Sequence, residues 1–513
     1  MAKKYTKEIY DYISIGVIVL ITLLSLMRFN YLPQFIDGYY HLSAANGLER
    51  SGGWIGHDWW NFAPVGRPHL YPPLYHLLII FIKSAGITGI DAVRITEVLF
   101  VPIFFLIVCC VFRRHISSLF AFLVLIIASS FFSFYSSLSG NIPASLAVLW
   151  GILCWYYLKK DRILASAIFL TLAFYTHAAI PWIFLFSLLI LACFSPNWRR
   201  SCLLIISFSL GLAAPIIYHQ AKHLDYLNFS ILSEVNFSHY SIGVLIFGFV
   251  SFFSCLRRKS FFCLLFIGYL LGSMIVFFKY PYRLFSAQGI LGFVFLSACL
   301  GEEIISKLGG RKGYLATTCI FLYFLFFHST VDLDNGQIKF HLLNSTYYNI
   351  ASGNFPATLE FNSLFFPNYY DPIVEVIKRN TQKDDIIVSN LGIASRIFSA
   401  LSNRPVAASM LGEVKEFSRF EPYPAAKLIV WLKPKDEEFY YWRHKLNLAE
   451  IYQNEIAYVF INPFYTAAAV PLKAKLSFAA IDFIFMSVIL ILILDISGLV
   501  KRVFMKTKKI EDI

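Results

Sequence analysis

Twelve apolar runs of helical length recur along the 513-residue chain, at 12–29, 94–112, 116–136, 142–158, 163–180, 181–196, 201–218, 240–256, 260–278, 284–301, 314–328 and 475–499. Short blocks of lysine and arginine separate many of them. A run of this kind pairs its own backbone N–H and C=O groups as a helix, which a hydrocarbon core demands of any segment that crosses it. The pattern predicts a polytopic α-helical membrane protein with about 12 transmembrane helices. Composition agrees: 58% of residues are hydrophobic and 15% charged, against about 45–50% and about 25% in soluble domains. Disordered and disulfide-rich secreted classes are excluded on the same grounds.

The net charge of +13 raises nucleic acid as a partner, but its placement argues otherwise. The stretch 72–87, YPPLYHLLIIFIKSAG, is apolar yet short, opens on two prolines and contains Lys83. If it lies along the membrane surface, the segments at 1–11, 113–115, 159–162, 197–200, 257–259, 302–313 and 501–512 all fall on one side. Together they hold 21 lysines and arginines and seven acids, so nearly the whole excess marks the cytoplasmic face. Both termini are then cytoplasmic, in the plasma membrane of a prokaryote, with the first run a retained helix rather than a cleaved signal. Lipids are partners and nucleic acid is not. All nine cysteines fall in or beside the runs with no metal-binding spacing, and read as small packing residues.

The expected organisation is a transmembrane domain over 1–328 with a functional first outer loop at 30–93, then an extracytoplasmic domain at 329–474. A last helix at 475–499 and a tail at 500–513 follow. Within the outer domain, 371–380 and 392–401 have helical periodicity, while 384–390, 425–432 and 455–461 are strand-like. Alternating elements predict a small α/β fold with a partly parallel sheet. The Gly-x-x-x-Arg stretch from Gly392 to Arg396 reads as helix packing.

The first outer loop, QFIDGYYHLSAANGLERSGGWIGHDWWNFAPVGRPHLYPPLYH, concentrates the chemistry. Asp37 follows the first run closely, at the membrane–water boundary, where a carboxylate suits a general base or a cation ligand. His41 lies four residues on and shares its face in a helix. His57, Asp58, Arg67, His69 and Tyr71 are candidate substrate contacts. Trp59 and Trp60 offer stacking surface for a sugar, or an interfacial belt. Between the later runs, Lys279 and Arg283 put positive charge on the side that otherwise lacks it. This suits a lipid phosphate, especially through the fork of Arg283, or else headgroup snorkelling. His177 and Arg94 are further candidates.

The Asp-Gly-Tyr-Tyr-His segment at 37–41, the aromatic loop and Tyr-Pro-Pro-Leu-Tyr-His at 71–76 resemble the GT-C superfamily of membrane glycosyltransferases, distantly the catalytic subunit of oligosaccharyltransferase. The resemblance implies a polyprenyl-phosphate- or pyrophosphate-linked sugar donor, an essential acid at Asp37, outer amphipathic helices over about 38–90 and an outer domain at 329–474. It also implies a basic residue for the donor phosphate near Lys279 and Arg283, and Glu234 as a second acid. Two departures stand out: the loop at 136–145, SSLSGNIPAS, has no acid, and Asp58-Trp59-Trp60 reverses the family's Trp-Trp-Asp order. These argue against protein N-glycosylation, so inverting transfer to a lipid, glycan or other cell-envelope acceptor is the expected activity, with a protein acceptor kept among the partner classes and magnesium or manganese as a candidate cofactor at Asp37. The alternatives are a lipid-linked glycan flippase and a non-catalytic envelope protein with an outer binding domain.

Overall fold

The computed structural model describes residues 2–33, 35–226, 237–334, 337–352, 367–407, 424–433, 443, 447–468, 470 and 476–477. Glu234, nearly all of the run at 475–499 and the tail lie outside the described residues.

Fifteen helices lead the chain: α1 (Ala2–Met27), α2 (Ile36–Ser51), α3 (Leu74–Ser84), α4 (Gly89–His115), α5 (Ser118–Ser130), α6 (Phe132–Gly140), α7 (Ile142–Lys159), α8 (Ile163–Phe174), α9 (Ile180–Phe194), α10 (Pro196–Lys222), α11 (Ile242–Arg258), α12 (Phe261–Val276), α13 (Pro281–Phe285), α14 (Ile290–Leu308) and α15 (Gly310–Leu322). Among the described residues, five stretches are long and apolar enough to cross a membrane unaided: Ile9–Met27, Gly89–His115, Ile142–Lys159, Pro196–Lys222 and Pro281–Leu308. The run at 116–136 divides at Phe131, whose extended backbone separates α5 from α6. At 11 residues, α3 reaches only about 16 Å, roughly half of a hydrocarbon core.

The bundle packs around aromatic side chains. Trp155 on α7 is buried against Phe184, Phe266, Tyr269 and Phe295 from α9, α12 and α14, and its indole N–H donates to Ser187 Oγ at 3.0 Å. The outward faces of α10 and α11 carry Leu203, Phe208, Leu212, Phe247, Phe249 and Phe253, all exposed. Water would not tolerate so continuous an apolar belt, whereas lipid tails cover it without penalty.

In α2, twelve of sixteen residues are buried, because the helix is covered from both sides. On one side Gly38 presses on Val93 and Glu97 of α4, where a Cβ would collide with Pro33. On the other, Ser43 Oγ lies 2.6 Å from Ser399 Oγ, and Asn46 donates to the Ala400 carbonyl of the helix Gly392–Ser402. Arg50 grips Asp384 with two bonds of 2.9 and 2.7 Å. That fork holds the Asp384 carboxyl below its usual range. Lys83 is not stranded in its apolar helix: it bonds Asn46 Oδ1 at 2.8 Å and pairs with Glu49, tying α3 to α2. Arg94 shapes the segment ahead of α2, donating to the carbonyls of Leu32 at 3.0 Å and Asn30 at 3.5 Å.

Short strands β1 (Gly53–Trp54), β2 (His57–Asp58) and β3 (Arg67–Pro68) order the first loop, with β2 antiparallel to β3. A second small sheet joins β4 (Phe237–Tyr240), β5 (Thr330–Asp334) and β6 (Gln337–His341). A third contains β7 (Ile386–Ser389), β8 (Ala426–Leu432), β9 (Ala449–Gln453) and β10 (Ala457–Ile461) in the order β7-β8-β10-β9. There β7 runs parallel to β8, and the other neighbours are antiparallel. The helices Pro367–Asn380 and Gly392–Ser402 accompany this sheet. Reciprocal backbone bonds clamp it to the first loop: Val406 N to Trp60 O at 2.8 Å, and Ala63 N to Val406 O at 2.9 Å.

Candidate active site

A cavity of about 420 Å³ opens where β2, β3 and the segment before α3 meet the ends of α9, α10, α12 and α13. Its lining includes the polar side chains Tyr40, Asp58, Arg67, His69, Tyr71, His177, Gln220 and Arg283, and the apolar Ala178, Ala179, Trp182, Ile217, Leu224, Val276 and Phe277. Tyr218, Ile275 and Phe278, the chain neighbours of lining residues, are exposed.

Each polar group is fixed locally. Asp58 closes a tight turn, its Oδ1 accepting the backbone N–H of Trp60 at 3.1 Å and Asn61 at 2.9 Å, and its Oδ2 accepting Asn61 Nδ2 at 2.9 Å. It therefore builds the loop and counters the charge of Arg67 across the β2–β3 pair. Arg67 lies with its guanidinium 3.4 Å from the centre of the Phe62 ring. Burial lowers its pKa to about 10, against the pull of Asp58 and Tyr40, so it remains a cation at neutral pH. Its Nη2 has no hydrogen-bond partner among the described residues. Arg283 donates Nε to the Tyr282 hydroxyl at 2.7 Å, which sets the plane of its fork. His177 accepts the N–H groups of Ala179 and Ile180 on Nδ1, at 3.0 and 3.3 Å, capping α9. Those two bonds assign the proton to Nε2 and make that atom a donor.

Behind this wall stands a buried imidazole cluster. His41 Nδ1 and His76 Nε2 are 3.0 Å apart, and the rings of His69 and His76 lie 5.5 Å apart at 84°. Burial pushes His41 down to about 3, with help from Arg396 and His69, and drives His76 well below its ordinary value. His69 is also lowered by burial despite Asp58 at 4.0 Å, so that contact is between a carboxylate and a neutral ring. One ring N–H lies between His41 and His76, and burial opposes adding a further proton to the neutral pair.

This has a consequence for acid stability. Below about pH 6.5 the unfolded chain protonates its histidines while the buried pair does not. Since unfolding then takes up protons, stability falls with falling pH, by up to about 1.4 kcal/mol per unit for one such imidazole. The unfolding temperature of the wild type in detergent is expected to drop between pH 6.5 and 5. The double variant His41→Asn, His76→Gln, which keeps one neutral bond at each position, is expected to show a flatter profile. Equal slopes would exclude the pair as the origin.

Asp58, Arg67, His69, Tyr71 and Arg283 thus share one cavity, with His41 directly behind. Trp60 is buried against Gly47 and shapes the loop from within. His57 stacks on Trp59 at 5.5 Å and lies 6.4 Å from His223, and neither His57 nor Trp59 lines the cavity. Lys279 is exposed and also outside the lining. Asp37 is half-buried in the first turn of α2. It is not part of the cavity lining, but Tyr40, three residues on and on the same helical face, is. Phe35, two residues before it, abuts Gly140 of α6, and α6 is bonded to the α13–α14 connection through Gln288 Nε2 and Ser137 Oγ at 2.9 Å. Among the described residues no group of acids and histidines gathers around Asp37 to share a magnesium or manganese ion.

Three contributors were not legible in sequence. α10 continues as helix to Lys222 instead of ending near 218, so His219 and Gln220 reach the carbonyls of His69 and Leu70 at 3.0 and 3.1 Å. Tyr280 lines the cavity beside Arg283. Arg396, from the Gly-x-x-x-Arg helix, is buried with its guanidinium 5.6 Å from the Tyr40 ring. Its charge is felt by His41 and Arg67. The glycine spacing signalled a packed helix and nothing about that cation.

The architecture has relatives among solved structures. ArnT from Cupriavidus metallidurans bound to undecaprenyl phosphate superposes with a TM-score of 0.54 at 11% identity, covering 90% of this chain and 99% of that one. The archaeal oligosaccharyltransferase AglB from Archaeoglobus fulgidus, in complex with an inhibitory peptide and a dolichol-phosphate, gives 0.54 at 12% identity over 82% and 69% of the two chains. The chain shares the fold of these two structures. No family model and no curated protein sequence matches the chain.

Proposed function

We propose that this protein is an inverting membrane glycosyltransferase, moving a sugar from a polyprenyl-phosphate or -pyrophosphate donor to a lipid, glycan or other acceptor in the cell envelope. The observation that carries the reading is the mixed lining of the cavity. The cations Arg67 and Arg283 and several hydrogen-bonding side chains share it with a large set of aliphatic and aromatic ones. A phosphate ester of a long isoprenoid combines the same two chemistries. The fold-level relatives that hold undecaprenyl phosphate and dolichol-phosphate support it.

In this mechanism Arg283 and Arg67 bind the donor phosphate and stabilise its charge as the bond to the sugar breaks. His177, through Nε2–H, adds a neutral donor. Asp37 takes the proton of the attacking acceptor hydroxyl. Glu234 is the second candidate acid, and Lys279 a peripheral attraction for the anionic lipid. Arg396 brings the 367–461 region to bear on the same site. A magnesium or manganese ion at Asp37 would need further oxygen ligands. The basic blocks orient the protein with its termini in the cytoplasm, some twelve spans and the cavity on the outer side.

Filling the cavity at an apolar lining position tests this reading. Ala179→Trp is expected to weaken binding of undecaprenyl phosphate by more than about tenfold and to reduce sugar transfer in parallel. Lipid binding is read by native mass spectrometry and transfer with radiolabelled sugar donors. Unchanged lipid binding in the variant, or lipid movement across vesicles without any sugar transfer, would remove the proposal in favour of a transporter.

A further inference from the structure

Far from the cavity, three cysteines distant in sequence converge at the end of the bundle that carries the basic block at 257–259. Cys255 lies in the last turn of α11, Cys263 in the first turn of α12 and Cys299 on α14. Their sulfur atoms all lie within 4.8 Å of one another, Cys255 and Cys263 buried and Cys299 partly so. Sequence spacing could not show this, because the third thiol comes from a helix packed alongside.

The surrounding structure holds the group in place. The α11–α12 turn is tight, with Lys259 in the left-handed region at φ 48°. Ser260 caps α12 by accepting the Cys263 backbone N–H at 3.4 Å. Ser251 Oγ stands 3.7 Å from Cys255 Sγ. Arg258 pairs with Glu303, which also receives Lys307 at 2.7 Å, so α14 is pinned against the turn. Arg258 and the N-terminus of α12 bring positive potential to Cys263, with Glu302 opposing it.

We propose that Cys255, Cys263 and Cys299 form a three-thiolate site for a thiophilic cation, copper(I). Three metal–sulfur bonds of about 2.3 Å in a trigonal plane place the sulfurs about 4.0 Å apart. The observed group closes onto an ion with shifts of less than about 1 Å. A structural zinc site takes four ligands, whereas this cluster supplies three, and soft sulfur ligands favour copper(I). Binding breaks three S–H bonds, forms three Cu–S bonds and releases three protons to solvent, with no change of oxidation state. On the orientation proposed above the site faces the reducing cytoplasm, where thiols persist in preference to disulfides.

The test uses the full-length protein in detergent, reduced and anaerobic, titrated with copper(I) in competition with bicinchoninate. One equivalent is expected, and X-ray absorption of the copper is expected to show three sulfur neighbours and no nitrogen or oxygen. Cys263→Ser and Cys299→Ser should each lower affinity by more than about tenfold, while Cys193→Ser and Cys319→Ser, at exposed positions, should not. Copper(I) should raise the unfolding temperature of the wild type and not of the triple serine variant, which separates metal binding from a folding defect. Undiminished affinity in the triple variant, no binding by the wild type, or nitrogen and oxygen neighbours would each overturn the site.

Discussion

Replacing Asp37 by asparagine is expected to lower kcat for sugar transfer by about 10²–10⁴-fold, the range a general base supplies. The substitution preserves shape and removes only the negative charge and the basic oxygen. Asp37 makes no side-chain hydrogen bond or ion pair among the described residues, so little structure depends on it. Its position in the first turn of α2 contributes about 0.3–1 kcal/mol through the helix dipole, too little to unfold the bundle. Donor binding, which the proposed mechanism assigns to Arg67 and Arg283, should stay within about threefold. A variant that transfers sugar at the wild-type rate would show that the base is another group, with Glu234 the next to replace. A variant that loses donor binding as well would mean that Asp37 organises the site instead of taking the proton.

The sequence carried the architecture much further than the site. Apolar runs and basic blocks are dictated by the bilayer one segment at a time, so they survive without knowledge of neighbours. Helix ends were less legible. Phe131 breaks an otherwise uniform apolar run, and α10 outlasts its apolar stretch because His219 and Gln220 find carbonyl partners on the first loop. The site depends on long-range meetings that no local pattern encodes. Asp58 was a candidate for its charge, yet both of its oxygens are engaged in closing its own turn. His76 stands in an apolar helix as an ordinary packing residue, and only the fold brings it to 3.0 Å from His41. Arg396 illustrates the same limit from the other side. A buried cation, more than 300 residues from Tyr40 in the chain, is placed by the packing of α2 against the helix Gly392–Ser402.

Arg283 offers the second large effect, and its value lies in a graded series. Arg283→Gln removes charge and fork together and is expected to reduce kcat by about 10²–10³-fold, as for other groups that meet developing charge in a transition state. Arg283→Lys keeps the charge but not the planar pair of donors, nor the Nε bond to Tyr282 that orients it. It is expected to recover part of the loss, to within about tenfold to thirtyfold of wild type. The distinction from snorkelling is kinetic. An arginine that only anchors its loop to headgroups would be replaced by lysine without cost, and its loss would lower thermal stability more than turnover. If Arg283 instead meets the departing phosphate, the deficit in the glutamine variant should shrink with donors whose leaving phosphate is already a weaker base. A lipid pyrophosphate donor would then lose less than a monophosphate one. A raised KM with kcat intact for both donors would instead place Arg283 in ground-state binding.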